Sequence, residues 1–335
     1  MIPIVKKESC QGLTLVELMI GLALSLLILG GSISVFISSK ESFRLEEDLS
    51  VLQENFRYIA DRLNKDLSMI GYMGCATPYT NNSQTLDAFV DGVGVTDIIQ
   101  GTEGGADPDS ITVSFALPES GIAVLDGIVT NKSDPLPVSK NQILYKALTD
   151  NFNAASFVAV TLLVGNCKNA NLFLVTGVAE QAIDLDGDGT NDLTAGTIKH
   201  ATGVTINGIS NQTPELSRAY GDIDDETAMV FGMERVTYEI DTVSGVTGLY
   251  ETRNGGTKKL LFDNVNNMQI LYGIDSATSE DGNADHYVSW SGSIKVADIT
   301  SLRITLTMVV SQANGADITR DYAFTVKLRD MGLDT

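Results

Sequence analysis

Residues 12–18 read GLTLVEL, and this stretch stands at the head of a long apolar segment. No charged residue occurs between positions 18 and 37, where Leu, Ile, Val, Ala and Gly dominate. About 20 apolar residues are enough for a helix to cross the hydrocarbon core of a bilayer. The segment therefore predicts a helix of membrane-spanning length that begins close to Glu17.

The charges on either side of the apolar segment predict its orientation. Lys6 and Lys7 precede it, and acidic residues follow it from Glu41 onward. By the positive-inside rule, the N-terminus is expected in the cytoplasm and the rest of the chain on the exported side. A secretory signal peptide has a shorter apolar region followed by a small-residue cleavage site, and no such site closes this run. A plain signal anchor stays an alternative.

The N-terminal region starts with a short basic leader, continues with Gly12, an apolar residue and Thr-Leu-Val-Glu, and leads into a long apolar helix. This arrangement resembles the N-terminal signal of type IV pilins and pseudopilins. The resemblance covers residues 12–37. It implies that a prepilin peptidase removes residues 1–12, cuts between Gly12 and Leu13, and methylates Leu13. It also implies that Glu17 pairs with the N-terminal amine of a neighbouring subunit, which supplies the partner that a carboxylate in an apolar segment requires.

The next segment, residues 38–70, has the pattern of an amphipathic helix. From Leu49 to Ile70 the apolar residues recur at steps of three and four, and charged residues, Asp66 among them, occupy the other positions. One helix is therefore expected from 13 to 70, with a transmembrane half at 13–37 and an amphipathic half at 38–70. Gly71 and Gly74 are expected to end it.

Three short stretches resemble the minor pilins of the PilW family. They are GYMGC at 71–75, DPDSITV at 107–113 and YAFTVKLR at 322–329. The resemblance implies an α+β, pilin-like fold, in which one long N-terminal helix packs on a β-rich head formed by residues 71–335. A division of this head into two lobes near 195–225 stays open.

Within the head, runs rich in β-branched and alternating apolar residues predict strands. They lie at 110–117, 142–147, 157–164, 172–178, 235–241, 248–253, 268–272, 301–310 and 322–328. The runs at 236–240 and 249–253 are expected to form a hairpin. Residues 77–109 and 191–225 are expected to be connecting segments, and the last strands to pack on the helix and close the main sheet.

The stretch at 184–192 reads DLDGDGTND and is the candidate metal site. Asp184, Asp186, Asp188, Thr190 and Asp192 alternate in the way that oxygen ligands do in calcium loops, and Thr190 would contribute its carbonyl oxygen. A carboxylate at the twelfth position is missing, because Ala195 stands there. The stretch predicts a structural Ca²⁺ site, and the alternative is a solvated acidic turn.

Three cysteines occur in the chain. Cys10 lies in the leader, which leaves Cys75 and Cys167 in the processed protein. An oxidising compartment favours a disulfide between these two, and the alternative is a pair of buried free thiols.

The composition excludes several functions. A formal net charge of -21 argues against nucleic-acid binding, which requires clusters of Lys and Arg. The sequence contains no nucleophile-elbow, phosphate-loop or zinc-protease motif, so no catalytic residues are assigned and the protein is not expected to be an enzyme.

The resemblance implies a minor pilin that helps to initiate a type IV pilus and is incorporated into it. Its expected partners are the prepilin peptidase, other minor pilins, the major pilin and a tip-associated adhesin. It would lie in the inner membrane, with a periplasmic head, before it enters the extracellular pilus. The alternatives are a pseudopilin of a type II secretion system and, from a different class, a membrane-anchored binding module or adhesin.

Overall fold

A computed structural model describes residues 15–74, 86–88, 98–125, 129–152, 161–165, 170–184, 188–206, 209–216, 218–221, 228–276, 282–311 and 317–328. These residues form two α-helices, α1 (Leu15–Leu67) and α2 (Ile143–Phe152). Two 3₁₀ turns occur at Pro118–Ser120 and Val296–Asp298. The fold is α+β, with one long N-terminal apolar helix followed by a β-rich region, as the sequence predicts.

The strands of the described chain are β1 (Leu86–Ala88), β2 (Ile99–Thr102), β3 (Ser110–Ala116), β4 (Ile122–Ala123), β5 (Leu136–Val138), β6 (Thr161–Gly165), β7 (Ala170–Leu174), β8 (Gly177–Ile183), β9 (Leu193–Lys199), β10 (Thr205–Ile206), β11 (Ile209–Ser210), β12 (Met229–Val243), β13 (Val246–Arg253), β14 (Lys259–Asp263), β15 (Val265–Ile274), β16 (His286–Ser289), β17 (Ile299–Ser311) and β18 (Asp317–Lys327).

The chain divides into two compact units, one that ends at Asn55 and one that runs from Phe56 to Thr335. The described part of the first unit consists of α1 up to residue 55. The described part of the second unit contains the last turns of α1, helix α2 and the eighteen strands given above.

The described residues of the second unit form four sheets. The largest follows the order β1-β7-β6-β12-β13-β14, and its central strand β12 also pairs with β3 and β4, while β2 pairs with β3. A four-stranded sheet has the order β16-β15-β17-β18, and all of its pairs are antiparallel. Strands β5, β9 and β8 form a third sheet, and β10 pairs with β11.

The β12–β13 hairpin confirms the sequence prediction. Val236 is paired with Arg253 and Ile240 with Leu249, and the register continues to the turn without a shift. Ser244 and Gly245 form the turn and have positive φ values of 54° and 83°. Positive φ at both central residues is the geometry whose twist matches that of the flanking strands.

The strand predicted at 142–147 is wrong, because these residues lie at the start of α2. Tyr145 and Leu148, three positions apart, are both buried in the core, whereas Ile143 is 80% exposed. The Tyr145 hydroxyl donates to the carbonyl of Ala179 at 2.7 Å. Its ring lies where a Cβ on Gly196 would be, 2.5 Å from the nearest ring atom, so the helix can approach β9 only because that residue is glycine.

Two other expectations are corrected. The segments expected to be connections contain strands, among them β2 in the first and β9 in the second. The last strands do pack on the end of α1, where the rings of Phe56 and Tyr322 are stacked with centroids 4.9 Å apart. They do not close the main sheet, because β15 to β18 form a separate sheet.

The core of the second unit lies where the nine-stranded sheet, the three-stranded sheet and α2 meet. Its buried apolar members include Val164 on β6, Phe173 on β7, Ile198 on β9 and Val230 on β12. In the four-stranded sheet, alternate residues of β17 from Leu302 to Met308 are fully buried, which is the period of two that a strand packed on one face requires.

Candidate functional site

The N-terminal part of α1 presents an apolar surface to its surroundings. Every residue from 15 to 44 is exposed, and large side chains such as Leu27 (73% exposed) and Phe36 (69% exposed) are among them. Soluble proteins rarely expose so large an apolar surface unless a membrane or another protein covers it. By length and composition α1 can cross a membrane, and it fits a single N-terminal membrane anchor.

Glu17 lies in the first turn of α1 and is exposed. A carboxylate at this position interacts favourably with the positive end of the helix dipole. It is the acidic residue of the first turn in an otherwise apolar stretch. Gly12 and Leu13, between which processing is predicted, lie outside the described residues.

The last turns of α1 are attached to the strands by an apolar face. Ile59, Leu63, Leu67 and Ile70 are fully or almost fully buried, as the spacing predicts. At the edge of this face, the rings of Tyr58 and Phe262 meet edge to face at 5.3 Å.

Beside the apolar face lies an arrangement of charges that the sequence analysis missed, and we call it the helix–strand ion network. Its members are Arg62 and Asp66 on α1, Glu234 on β12, and Glu251 and Arg253 on β13. Asp66 and Glu251 are each 5% exposed. Buried carboxylates require compensating charges, and the two arginines provide them.

Arg253 is the centre of this network. Its guanidinium binds Glu234 at 2.6 Å and Glu251 at 3.2 Å, and it also pairs with Asp66. Arg62 bridges the same two elements, at 3.2 Å from Glu251 and 3.7 Å from Asp66. Each arginine therefore links α1 to β13 through hydrogen-bonded ion pairs.

The Tyr238 hydroxyl completes the network by donating to the Asp66 carboxylate. Burial raises the pKa of Tyr238, and the hydrogen bond to Asp66 raises it further. Burial by itself lowers the pKa of Arg253, but its hydrogen bonds to Glu234 and Asp66 reverse this, and the net direction is upward. Both groups therefore keep their protons at any physiological pH.

Asp66 is buried, although the sequence pattern places it among the charged positions outside the apolar face of the helix. No helical periodicity identifies it, because its partners Tyr238 and Arg253 are more than 170 residues away along the chain. The one local signal is the spacing of Arg62 and Asp66, four residues apart on the same helix.

The predicted calcium loop connects β8 to β9. Asp184, Asp188, Thr190 and Asp192 are exposed, and Asp186 lies outside the described residues. The backbone N–H of Gly189 donates to Asp184 at 2.8 Å, and that of Thr190 donates to Asp188 at 2.7 Å. The hydroxyl and backbone N–H of Thr190 lower the pKa of Asp188. Among the described residues no group of three acidic, His or Cys side chains is arranged to hold a metal.

Calcium binding at this loop stays a prediction, and a thermal-unfolding experiment tests it. With Ca²⁺ at about 100 times its dissociation constant, binding adds about 2.7 kcal/mol to the free energy of unfolding. We expect the full-length protein in detergent to melt at a higher temperature with Ca²⁺ than with EDTA, and the double substitution Asp186→Ala and Asp188→Ala to abolish the difference. Asp150→Ala, at an exposed carboxylate on α2, serves as the control. Equal melting temperatures with and without Ca²⁺ for the unsubstituted protein would mean that the loop is only a turn.

Cys75 and Cys167 lie outside the described residues, so their disulfide also stays a prediction.

His200 is a histidine buried in the core of the described chain. It is 2% exposed, its ring lies 5.7 Å from that of Phe173, and its Nε2 donates to the carbonyl of Asp134 at 2.9 Å. Burial lowers the pKa of His200 below its ordinary value of 6.5. The folded protein therefore binds fewer protons than the unfolded chain as the pH falls through about 6.5, and acid favours unfolding.

We expect the melting temperature to fall between pH 7.5 and pH 5.5, and His200→Gln to remove most of this fall, because an amide can still donate to Asp134 but does not titrate. The matched control is His286→Gln, since the chain has two histidines and His286 is exposed. The same pH dependence in the His200→Gln and unsubstituted proteins would contradict the role of burial.

Comparison with known proteins adds one match. Residues 208–330, slightly more than a third of the chain, match the family model described as type IV pilus-assembly protein W. No curated protein and no solved structure gave a significant match. The matched region runs from β11 to β18, so it includes the strands that carry Glu234, Glu251 and Arg253. The C-terminal part of this head, residues 208–330, is thus similar to the type IV pilus-assembly protein W family.

Proposed function

We propose that this protein is a minor pilin that helps to initiate a type IV pilus and is incorporated into it. The observation that carries the proposal is the presence, in one chain, of an exposed apolar helix with Glu17 in its first turn and a region that matches a pilus-assembly family. In this proposal the prepilin peptidase cuts between Gly12 and Leu13 and methylates Leu13.

Before assembly the helix lies in the inner membrane, and the head lies in the periplasm. On assembly the helix leaves the lipid and packs against the helices of other pilins. Lipid tails are as apolar as leucine side chains, so this transfer gains little from the hydrophobic effect. Close packing and the pairing of polar groups must favour it instead.

Glu17 supplies such a polar group. Its carboxylate would pair with the methylated amine of Leu13 on a neighbouring subunit, so that each charge compensates the other in an apolar environment. The pairing selects subunits that have been processed, because an unprocessed chain has no amine at this position. Other minor pilins, the major pilin and a tip-associated adhesin are the proposed partners.

The test is deletion of the gene followed by complementation. We expect deletion to abolish or strongly reduce surface pili, and the complementing protein to appear in pili sheared from the cells. Secretion through a type II system in the same cells should be unaffected. Normal piliation with impaired secretion would favour the pseudopilin alternative, and absence from sheared pili with a retained binding activity would favour an anchored binding module.

A further inference from the structure

The apolar face at the end of α1 does not by itself define where the helix docks on the strands. Within the second unit its apolar positions are the half-buried Phe56 and the buried Ile59, Leu63, Leu67 and Ile70, and before them Leu49 is half-buried and Leu52 is buried. Seven residues earlier in the sequence stand Leu49, Leu52, Phe56, Ala60 and Leu63, which are all apolar as well. Seven residues are almost two helical turns, so these side chains point in nearly the same direction. A helix displaced by seven residues, about 10 Å, therefore offers the strands another apolar face.

The charged positions behave differently under the same displacement. Asn55 would take the place of Arg62, and Ile59 would take the place of Asp66. Glu251 would lose its pair with Arg62, and Arg253 and Tyr238 would lose Asp66. A displacement of seven residues in the opposite direction is excluded by the apolar face itself, because it places Asp66 at the position of Ile59.

A backbone contact near the helix end also opposes the displacement. The N–H of Ala116 donates to the carbonyl of Tyr72 at 2.9 Å. A single hydrogen bond contributes little net free energy compared with the buried ion pairs of Arg62 with Glu251 and of Arg253 with Asp66, which the displacement breaks.

We propose that the helix–strand ion network sets the register in which the end of α1 docks on β12 and β13. Arg62 and Asp66 are then positioning residues, because they select one of two registers that the apolar face allows. Buried charges often contribute little to stability compared with apolar residues of the same size, and selection of a register is the role best established for them. The inference does not depend on the proposed pilus function, since it concerns only the docking of α1 on its own strands.

The most direct test transplants the charges along the helix. The variant exchanges residues at positions seven apart, with the substitutions Asn55→Arg, Ile59→Asp, Arg62→Asn and Asp66→Ile, and it keeps the amino-acid composition unchanged. A photo-reactive phenylalanine analogue is placed either at position 56 or at position 49 of the full-length protein in detergent. Cross-links to Tyr322 and Phe324 are then mapped by mass spectrometry.

In the otherwise unsubstituted protein, we expect these cross-links from position 56, where the Phe56 ring lies 4.9 Å from that of Tyr322 and 5.9 Å from that of Phe324. In the transplanted variant we expect them from position 49, with the ratio of the two yields changed by at least about tenfold. Cross-links that still come from position 56 in a folded transplanted variant would overturn the proposal.

A second variant covers the case in which the transplanted protein does not fold. It replaces every member of the network, and Tyr238 with them, by apolar residues of similar size, with the substitutions Arg62→Met, Asp66→Leu, Glu234→Leu, Tyr238→Phe, Glu251→Leu and Arg253→Met. We expect cooperative unfolding near the original melting temperature, together with cross-links to Tyr322 from both position 49 and position 56. Cross-links from position 56 alone would mean that the apolar contacts set the register. Loss of folding in this variant would mean that the network is needed for stability. Both of these results, cross-links from position 56 alone and loss of folding, would contradict the proposal.

Discussion

Replacement of Glu17 by alanine is expected to leave processing intact and to reduce incorporation into pili by at least tenfold. The proposed cleavage lies between Gly12 and Leu13, so the substituted residue is outside the bond that would be cut. In the filament, however, the amine of Leu13 on the neighbouring subunit would be buried without its partner. Loss of about 1.4 kcal/mol already corresponds to a tenfold change in an equilibrium, and an unpaired charge in an apolar environment costs more than that. The measurement is an immunoblot that compares the protein in sheared pili with the protein in membranes.

The matched control for this substitution is Glu41→Ala, which removes a second exposed carboxylate from the same helix. It should enter pili normally. Glu17→Asp should retain part of the activity, because the charge is kept on a shorter side chain. If Glu17→Ala entered pili as well as the unsubstituted protein, the proposed pairing with Leu13 would be wrong.

Replacement of Arg253 by alanine is expected to lower the free energy of unfolding by about 3 kcal/mol, because it leaves the buried carboxylates of Asp66 and Glu251 without their main partner. For a unit of this size such a loss lowers the melting temperature by about 5–10 °C. The arginine binds three carboxylates from three different elements, so Arg253→Lys should recover only part of the loss. The measurement is thermal unfolding of the full-length protein in detergent.

A surface ion pair provides the control for Arg253. Lys140 pairs with Glu180 at 3.3 Å, and both side chains are substantially exposed. Exposed pairs contribute at most about 1 kcal/mol, so Lys140→Ala should change the melting temperature little. Equal effects of the two substitutions would show that the network contributes no more than an ordinary surface pair. Arg253→Ala is expected to lower the free energy of unfolding strongly, because it leaves buried carboxylates without a partner. Replacing the whole network by apolar residues leaves no such charge, so the effect on stability is expected to be mild.

The parts of the fold that local pattern determines were predictable. The spacing of Ile59, Leu63 and Leu67 identified the buried face of α1, and alternation identified the β12–β13 hairpin. The run at 142–147 led to a wrong strand prediction. Ile143, Leu144 and Tyr145 have the composition of a buried strand, and the run is too short for its periodicity to distinguish a strand from a helix. Packing decides the outcome there, since α2 places Tyr145 in the core with its ring directly over Gly196.

The candidate site was predictable only where it is continuous in the sequence. The apolar segment and Glu17 follow one another, and the loop at 184–192 is a single stretch. The helix–strand ion network is different, because Asp66 and Arg253 are brought together by the docking of a helix on a sheet. On the sequence alone, Asp66 has the same appearance as the solvated Asp61 five residues before it.

The processing of the N-terminus is the central claim, and intact mass with N-terminal sequencing tests it most directly. The protein is isolated from membranes of cells with and without the prepilin peptidase. The proposed function predicts a mature chain that begins at a methylated Leu13 when the peptidase is present, and an unprocessed chain when it is absent. A chain that keeps residues 1–12 in the presence of the peptidase, or that is cut at another bond, would contradict the assignment to a pilus and favour an anchored envelope protein.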